Sequence, residues 1–229
     1  MSLIVAIDGP SGVGKSTTSK LVARALDIPH IDTGAMYRAI GLAAVRRGVD
    51  LHDGAALERL ASDVVIEFIP GDAPRVLLEG EDVTHLIRTP EISMAASHVS
   101  AASGVRRVLV RLQQELGRRN GGVLEGRDIG TRVFPETPHK FFLTARPEVR
   151  ARRRHAELIA KGEPADFDTV LAESVRRDEQ DSTRADSPLS FDESYMVVDT
   201  SDLTIAEVVD VIVSAVRSES SRVRPGNST

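Results

Sequence analysis

Ile7-Asp8-Gly9-Pro10-Ser11-Gly12-Val13-Gly14-Lys15-Ser16 is the stretch on which the fold turns. It reads as the end of a strand, a glycine-rich bend and the start of a helix. Leu3 to Ile7 is a continuous apolar run, as in a strand buried on both faces. From Gly9 the order is one glycine, four residues, then Gly14-Lys15-Ser16, which fits G-x-x-x-x-G-K-[ST]. Glycines let such a loop turn its N–H groups inward, and the helix N-terminus behind it adds a field that favours an anion. At this chain's composition a chance match is expected about 0.003 times. Lys15 is placed to reach the β- and γ-phosphates of a nucleoside triphosphate, and the Ser16 hydroxyl to ligate Mg2+. Gly9, Pro10, Ser11, Gly12, Val13, Gly14, Lys15, Ser16 and Thr17 are therefore the predicted triphosphate residues.

Outward from this loop, helical and strand patterns alternate. A helix is expected to about Leu26, a short second strand at His30-Ile31, and another helix after Asp32-Thr33-Gly34-Ala35-Met36-Tyr37-Arg38. The pattern changes after Ser62. Val64 to Ile69 and Arg75 to Val83 read as strands joined by the Pro-Gly-Asp-Ala-Pro turn at 70–74, which suggests an inserted subdomain over about 63–95. Helical periodicity returns from Glu91 to Arg119. A third core strand, Val123-Leu124, ends at Glu125-Gly126-Arg127-Asp128, and Lys140 to Thr144 is a fourth. A helix with Pro147 in its first turn breaks over Lys161 to Asp168, and a second helix runs to about Gln180. Met196-Val197-Val198 is a fifth strand, and Thr204 to Glu207 is a capping box opening the last helix. Residues 218–229 read as a frayed tail. The expected fold class is α/β, a five-stranded parallel sheet with helices on both faces.

Composition narrows the function. The chain has 229 residues, 41% hydrophobic, which excludes a disordered protein. No run approaches the ~18 apolar residues of a membrane span, and the N-terminus lacks the basic region of a signal peptide. A net charge of −5 argues against a general nucleic-acid binder. The absence of cysteine excludes disulfides, thiolate zinc sites and a cysteine nucleophile, and agrees with an expected cytoplasmic location. The six histidines form no metal-ligand spacing and read as structural. A monomer is expected, because no exposed apolar stripe is evident.

A guanine-reading Asn-Lys-x-Asp motif is absent, since neither Asn120 nor Asn227 precedes lysine. Arginine-bearing segments instead mark a place for a second substrate at the strand ends, where open α/β sheets bind ligands. They are the 32–38 segment, Gly126-Arg127-Asp128, and Arg177, Asp181 and Arg184, whose i, i+4, i+7 spacing puts them on one helical face if the helix extends that far. Phosphoryl transfer to a phosphate suits this set. The acceptor oxygen is already an anion, so the protein has to hold two polyanions in line and neutralise their charge. Arginine's rigid fork binds phosphate oxygens bidentately.

These segments, in order, resemble the bacterial cytidylate kinases. The residues that carry the resemblance are 7–16, 32–38, Ala95-Ala96-Ser97 with Val99, Glu125 to Thr131, and Arg177-Asp178 with Asp181 and Arg184. It covers about residues 3–217. It implies a P-loop nucleoside monophosphate kinase fold with sheet order 2-3-1-4-5, an inserted CMP-binding subdomain and a lid. The implied domain plan is a single kinase domain over 1–217, with core 1–62, 96–148 and 185–217, insertion 63–95 and lid 149–184. The implied reaction is transfer of the γ-phosphoryl group of ATP to CMP or dCMP, with Mg2+ as cofactor. Lys15, Arg127, Arg177 and Arg184 would be catalytic.

By the same resemblance Ser97, Arg106 and Asp128 would meet cytosine, and Asp181 with Arg177 the ribose. Thr33, Arg38, Arg127 and Arg184 would surround the acceptor phosphate, with Tyr37 beside them. Cytosine N4 donates where uracil O4 accepts, so a carboxylate at Asp128 favours C over U. The chain departs from the family at Thr33, often Ser, and at Glu125, often Asp, which would stand behind Mg2+. Gly104 departs too, so the register there decides between Arg106 and Arg107. Arg150, Arg153 and Arg154 share a helical face in the lid, and Arg150 and Arg153 are expected on the ATP side. The competing readings are a P-loop kinase of another small metabolite and a nucleotide-gated regulatory ATPase.

Overall fold

The structure, a computed structural model, describes residues 2–69, 74–160, 162–184 and 186–222, the last three by backbone alone. The elements run β1 (Ile4–Asp8), α1 (Lys15–Leu26), β2 (His30–Asp32), α2 (Thr33–Arg46), α3 (Gly54–Asp63), β3 (Ile66–Ile69), β4 (Arg75–Leu78) and β5 (Glu81–Asp82). Then come α4 (Pro90–Ala101), α5 (Ser103–Asn120), β6 (Gly122–Gly126), β7 (His139–Thr144), α6 (Pro147–Ala160), α7 (Phe167–Thr183), β8 (Met196–Asp199) and α8 (Ile205–Arg222). The five-stranded sheet has the order β2-β6-β1-β7-β8, which is the expected 2-3-1-4-5 over the five core strands. The ladders from β1 to β6, β1 to β7 and β7 to β8 are parallel.

The chain divides into two compact units, one of residues 1–2 and 30–120, the other of 3–29 and 121–229. In the second, β1 is the central strand, and Val5, Ala6 and Ile7 have no exposed surface. Helices α1 and α8 close one core, where Val22, Ile212 and Val216 meet Val5, Ile7 and Leu143. Fully burying an isoleucine or leucine stabilises by about 1.5–3 kcal/mol relative to exposing it, so this core fixes where β1 ends and the phosphate loop begins. Thr204 caps α8 as expected. Its N–H donates to the Glu207 carboxylate at 2.8 Å, and the Glu207 N–H donates back to the Thr204 hydroxyl at 3.3 Å.

In the first unit, β3, β4 and β5 form an antiparallel sheet of three strands within the 63–95 segment, one more than the two expected. The expected strand from Arg75 to Val83 is divided by a turn at Glu79-Gly80, both at positive φ, into β4 and the exposed β5. The expected turn at 70–73 lies outside the described residues. The helical stretch from 91 to 119 is two helices, parted at Ala102. Gly41 on α2 lets the backbone of α4 approach, since a Cβ there would lie 3.1 Å from the Ala96 nitrogen. Helix α8 continues to Arg222, beyond the expected start of the tail at 218, and residues 223–229 lie outside the described residues.

Candidate active site

The phosphate loop is shaped by three glycines at positive φ, Gly9 at 146°, Gly12 at 79° and Gly14 at 93°. At Gly9 the constraint is also steric, because a Cβ would stand 2.2 Å from the Leu143 carbonyl oxygen on the neighbouring strand. At Gly12 it would stand 3.0 Å from Cβ of Arg150. Only glycine satisfies both demands. Gly14 occupies the N-cap of α1 and offers no side-chain cap, so the first N–H groups of the helix keep their capacity for an anion.

Lys15, the first residue of α1, is buried, and its Nζ donates to the Pro10 carbonyl at 2.6 Å, closing the loop on itself. Burial pushes its pKa well below the ordinary ammonium value. The Arg127 charge pushes the same way, and Glu125 and Asp181 oppose it. The loop lysine thus shares its field with Glu125, Arg127, Arg177 and Asp181, four of the residues singled out in the sequence. Ser16 and Thr17 are exposed at the same helix start. Glu125 is buried on β6, whose Cα pairs with that of Ile7 in the sheet register.

Asp181 organises the arginines around it. Arg127 Nε donates to Oδ2 at 2.8 Å, and Arg184 Nη1 lies 3.8 Å from Oδ1. Burial would raise the Asp181 pKa, but the attraction and hydrogen bond of Arg127, with Arg177 and Arg184 behind it, hold it below the ordinary carboxylate value. It is a carboxylate held among cations. The guanidiniums of Arg127, Arg177 and Arg184 are therefore clustered by a residue on α7. Helix α7 ends at Thr183 and Arg184 is its extended C-cap, so Arg177 and Asp181 lie on the helix and Arg184 just beyond it, outside the helical face expected for all three.

Two arginines of α6 are engaged with the protein. Arg150, buried, donates to the carbonyls of Ala145 at 3.1 Å and Ser11 at 3.2 Å and pairs with Asp178 at 2.6 Å. Arg153 donates to the Thr200 carbonyl at 2.6 Å and hydroxyl at 3.0 Å, and that hydroxyl donates to the Val13 carbonyl at 3.1 Å. Both arginines thus reach the phosphate loop, Arg150 directly and Arg153 through Thr200. Arg154 pairs locally with Glu157.

Apart from Asp128, the other expected acceptor residues belong to the unit of residues 30–120. Asp32 caps α2 by accepting from the Ala35 N–H at 3.0 Å, and it holds Arg38 at 2.7 Å. Burial opposes its ionisation, yet Arg38, Arg88 and His30 together bring its pKa below the ordinary value. Nε of Arg38 is buried with no partner among the described residues. Thr33 is buried at the start of α2, and Ser97 is half-buried on α4. Arg106 is 2% exposed and its guanidinium lies over the Tyr37 ring at 5.5 Å, whereas Arg107 points outward to Glu58.

Asp128 is buried at the N-cap of a π-helical turn, Ile129–Val133. The N–H groups of that turn are taken by Asp8, a residue the sequence reading quoted without assigning a role. Tyr195, Asp178 and Thr200 were missed as well. The signal for Asp8 was present, since it is the one charge ending an apolar buried strand. For the others only the fold brings the partner near. Among the described residues no three His, Asp or Glu side chains gather to hold a metal, and no helix is long and apolar enough to cross a membrane.

The cytidylate kinase family model matches residues 5–218. A cytidylate kinase of Geobacter sulfurreducens is 50% identical over 225 residues, covering 98% of this chain and 96% of its own. One of Mycobacterium leprae is 48% identical, covering 96% and 98%. A solved gluconokinase of Sinorhizobium meliloti shares the fold at 14% identity, with a TM-score of 0.50 over 96% of this chain and 95% of its own. With a family model matched over residues 5–218 and a relative half identical over nearly the whole of both chains, the chain belongs to the cytidylate kinase family.

Proposed function

We propose that the chain is an enzyme that transfers the γ-phosphoryl group of ATP to CMP and dCMP, forming CDP and dCDP. The observation that carries this reading is the coupling of Lys15 to the Asp181-centred arginines, because it puts the donor's lysine and the acceptor's cations in one field. No general base is needed, since the acceptor phosphate supplies the nucleophilic oxygen. Gly9 to Thr17 cradle the triphosphate. Lys15 exchanges the Pro10 carbonyl for phosphate oxygens. Arg127, Arg177 and Arg184 spread charge over the transferring group, where preorganised donors contribute most.

On the acceptor, Thr33, Arg38, Arg127 and Arg184 take the phosphate, Arg177 and Asp181 the ribose, and Ser97, Arg106 and Asp128 the base, with Tyr37 supporting Arg106. The buried position of Arg106, against the exposed position of Arg107, favours the former. Mg2+, bound through phosphate oxygens and waters, would take the Ser16 hydroxyl with Glu125 behind it, and would polarise the transferring phosphate. That ion commonly needs only one or two protein oxygens, so this sparse donor set fits it. Residues 149–184 act as the lid, with Arg150 and Arg153 on the ATP side, and 63–95 as the CMP-binding insertion. The enzyme works as a cytoplasmic monomer on free nucleotides, with no nucleic-acid or membrane partner.

The test is coupled ATP consumption with Mg2+ and each of CMP, dCMP, UMP, AMP, GMP or no acceptor. Strong stimulation by CMP and dCMP, with CDP or dCDP formed one for one, is expected. Equal rates with and without any nucleotide would overturn the reading.

A further inference from the structure

We propose that Thr200 is a positioning residue for triphosphate binding: its hydroxyl holds the Val13–Gly14 peptide of the phosphate loop so that the Gly14 N–H is turned to the phosphates. This rests on the reading of Gly9 to Thr17 as the triphosphate cradle. A trans peptide is planar, so its C=O and N–H point opposite ways, and whatever fixes the carbonyl of one residue aims the N–H of the next. The Thr200 hydroxyl donates to the Val13 carbonyl at 3.1 Å, and both residues are buried. The Gly14 N–H therefore faces away from that buried contact, at the N-terminus of α1, where an anion is favoured.

Glycine makes such a holder necessary. Gly14 has a φ of 93°, and flipping the peptide before it exchanges that angle for a negative one, which glycine adopts about as readily. The loop's own backbone thus does not choose between the two orientations. Thr200 does, and it is itself fixed. Its N–H donates to the Thr144 carbonyl at 2.8 Å, at the end of β7. The fork of Arg153 donates to its carbonyl at 2.6 Å and to its hydroxyl oxygen at 3.0 Å. A hydroxyl that accepts from a guanidinium keeps its single hydrogen to give, and the charge polarises it towards Val13. Arg150, one turn earlier on α6, treats a second loop peptide the same way. It donates to the Ser11 carbonyl at 3.2 Å, just ahead of Gly12 at φ 79°. With its hydroxyl and carbonyl both engaged and only 3% of its surface exposed, Thr200 acts through the loop and not on the nucleotide. A plainer role, tying α6 to the end of β8, would show in stability alone.

Calorimetric titration of the whole enzyme with Mg–ATP and with CMP, for Thr200→Val and Thr200→Ser, separates the two roles, with folding followed by thermal melting. Thr200→Val keeps the shape and loses the donor. Its dissociation constant for ATP is expected to rise about tenfold, while that for CMP stays within about twofold. Thr200→Ser keeps the hydroxyl and should bind ATP within about threefold of wild type. If Thr200→Val fails to fold, Thr200→Ala, which leaves room beside Val13, decides by the same split. Wild-type ATP affinity in Thr200→Val, with a lowered melting temperature, would overturn the positioning role and leave a brace. So would equal weakening of ATP and CMP, or a Thr200→Ser as impaired as Thr200→Val. A wild-type enzyme that binds no ATP would overturn the cradle reading and this proposal with it.

Discussion

Arg150 Nη1 lies 2.6 Å from Oδ2 of Asp178, an ion pair between α6 and α7 in which the arginine is buried and also donates to the Ser11 carbonyl at 3.2 Å. One guanidinium therefore ties α6 and α7 to the phosphate loop. Truncating it strands a partly buried carboxylate and leaves two backbone carbonyls short of a donor. Arg150→Ala is expected to cost about 3 kcal/mol in denaturant unfolding and to raise the KM for ATP more than that for CMP. Arg150→Lys should rescue poorly, because a point charge cannot replace a fork with three acceptors. A larger effect on the CMP constant would move Arg150 to the acceptor side.

Lys15 makes the opposite trade. In the fold it is a buried base held below its ordinary pKa by burial and by Arg127. The unfolded chain binds the proton more readily, so at neutral pH this lysine destabilises the fold, and stability rises with pH up to its unfolded value. Lys15→Met is expected to reduce transfer by at least about a thousandfold while raising stability by roughly 1–2 kcal/mol. Retained turnover would remove Lys15 from the reaction, and a loss of stability would show that its bond to the Pro10 carbonyl outweighs its burial.

What the sequence made legible follows from how local each signal is. The phosphate loop, the strand before it and the capping box at Thr204 are set by residues within a few positions of each other, and each stands where its spacing put it. The i, i+4 relation of Arg177 and Asp181 was equally readable from helical periodicity, whereas Arg184 lies past the end of α7 at an extended C-cap. Asp178, by contrast, looked like one more helix surface carboxylate, because its partner is 28 residues earlier. The exposed β5 and the break at Ala102 left no hydrophobic mark. Tyr195 could not be paired with Asp8 at all before the sheet brought β8 and β1 to either side of β7.

Asp32 joins two tasks that a single substitution can separate. One oxygen caps α2 through the Ala35 N–H and the other holds Arg38 at 2.7 Å. Asp32→Asn keeps a cap acceptor but surrenders the charge that aims Arg38. It is expected to lose under about 1 kcal/mol of stability and to raise the KM for CMP about tenfold. Asp32→Ala should add about 1 kcal/mol for the lost cap. A KM for CMP unchanged in both variants would show that Arg38 finds its phosphate without help.

Asp8 carries a signature in stability. Burial raises its pKa from 3.8 to about 6, with the Asp128 charge adding and the Gly130, Ile129 and Tyr195 donors opposing. Lys140 lies 5.8 Å from the ring of Tyr195, the donor to Asp8. A carboxyl raised in this way is protonated in the fold while the unfolded chain has already released its proton. Between about pH 4 and pH 6 the folded state therefore holds more protons, and its stability falls as pH rises, then levels. At about 1.4 kcal/mol per pH unit, wild type should lose about 2 kcal/mol relative to Asp8→Asn between pH 4.5 and pH 7. Denaturant midpoints at the two pH values check this directly. A constant difference would mean that Asp8 is already ionised at pH 4.5, its three donors outweighing burial. The predicted slope would mean that holding the Ile129–Val133 turn at neutral pH costs the fold stability.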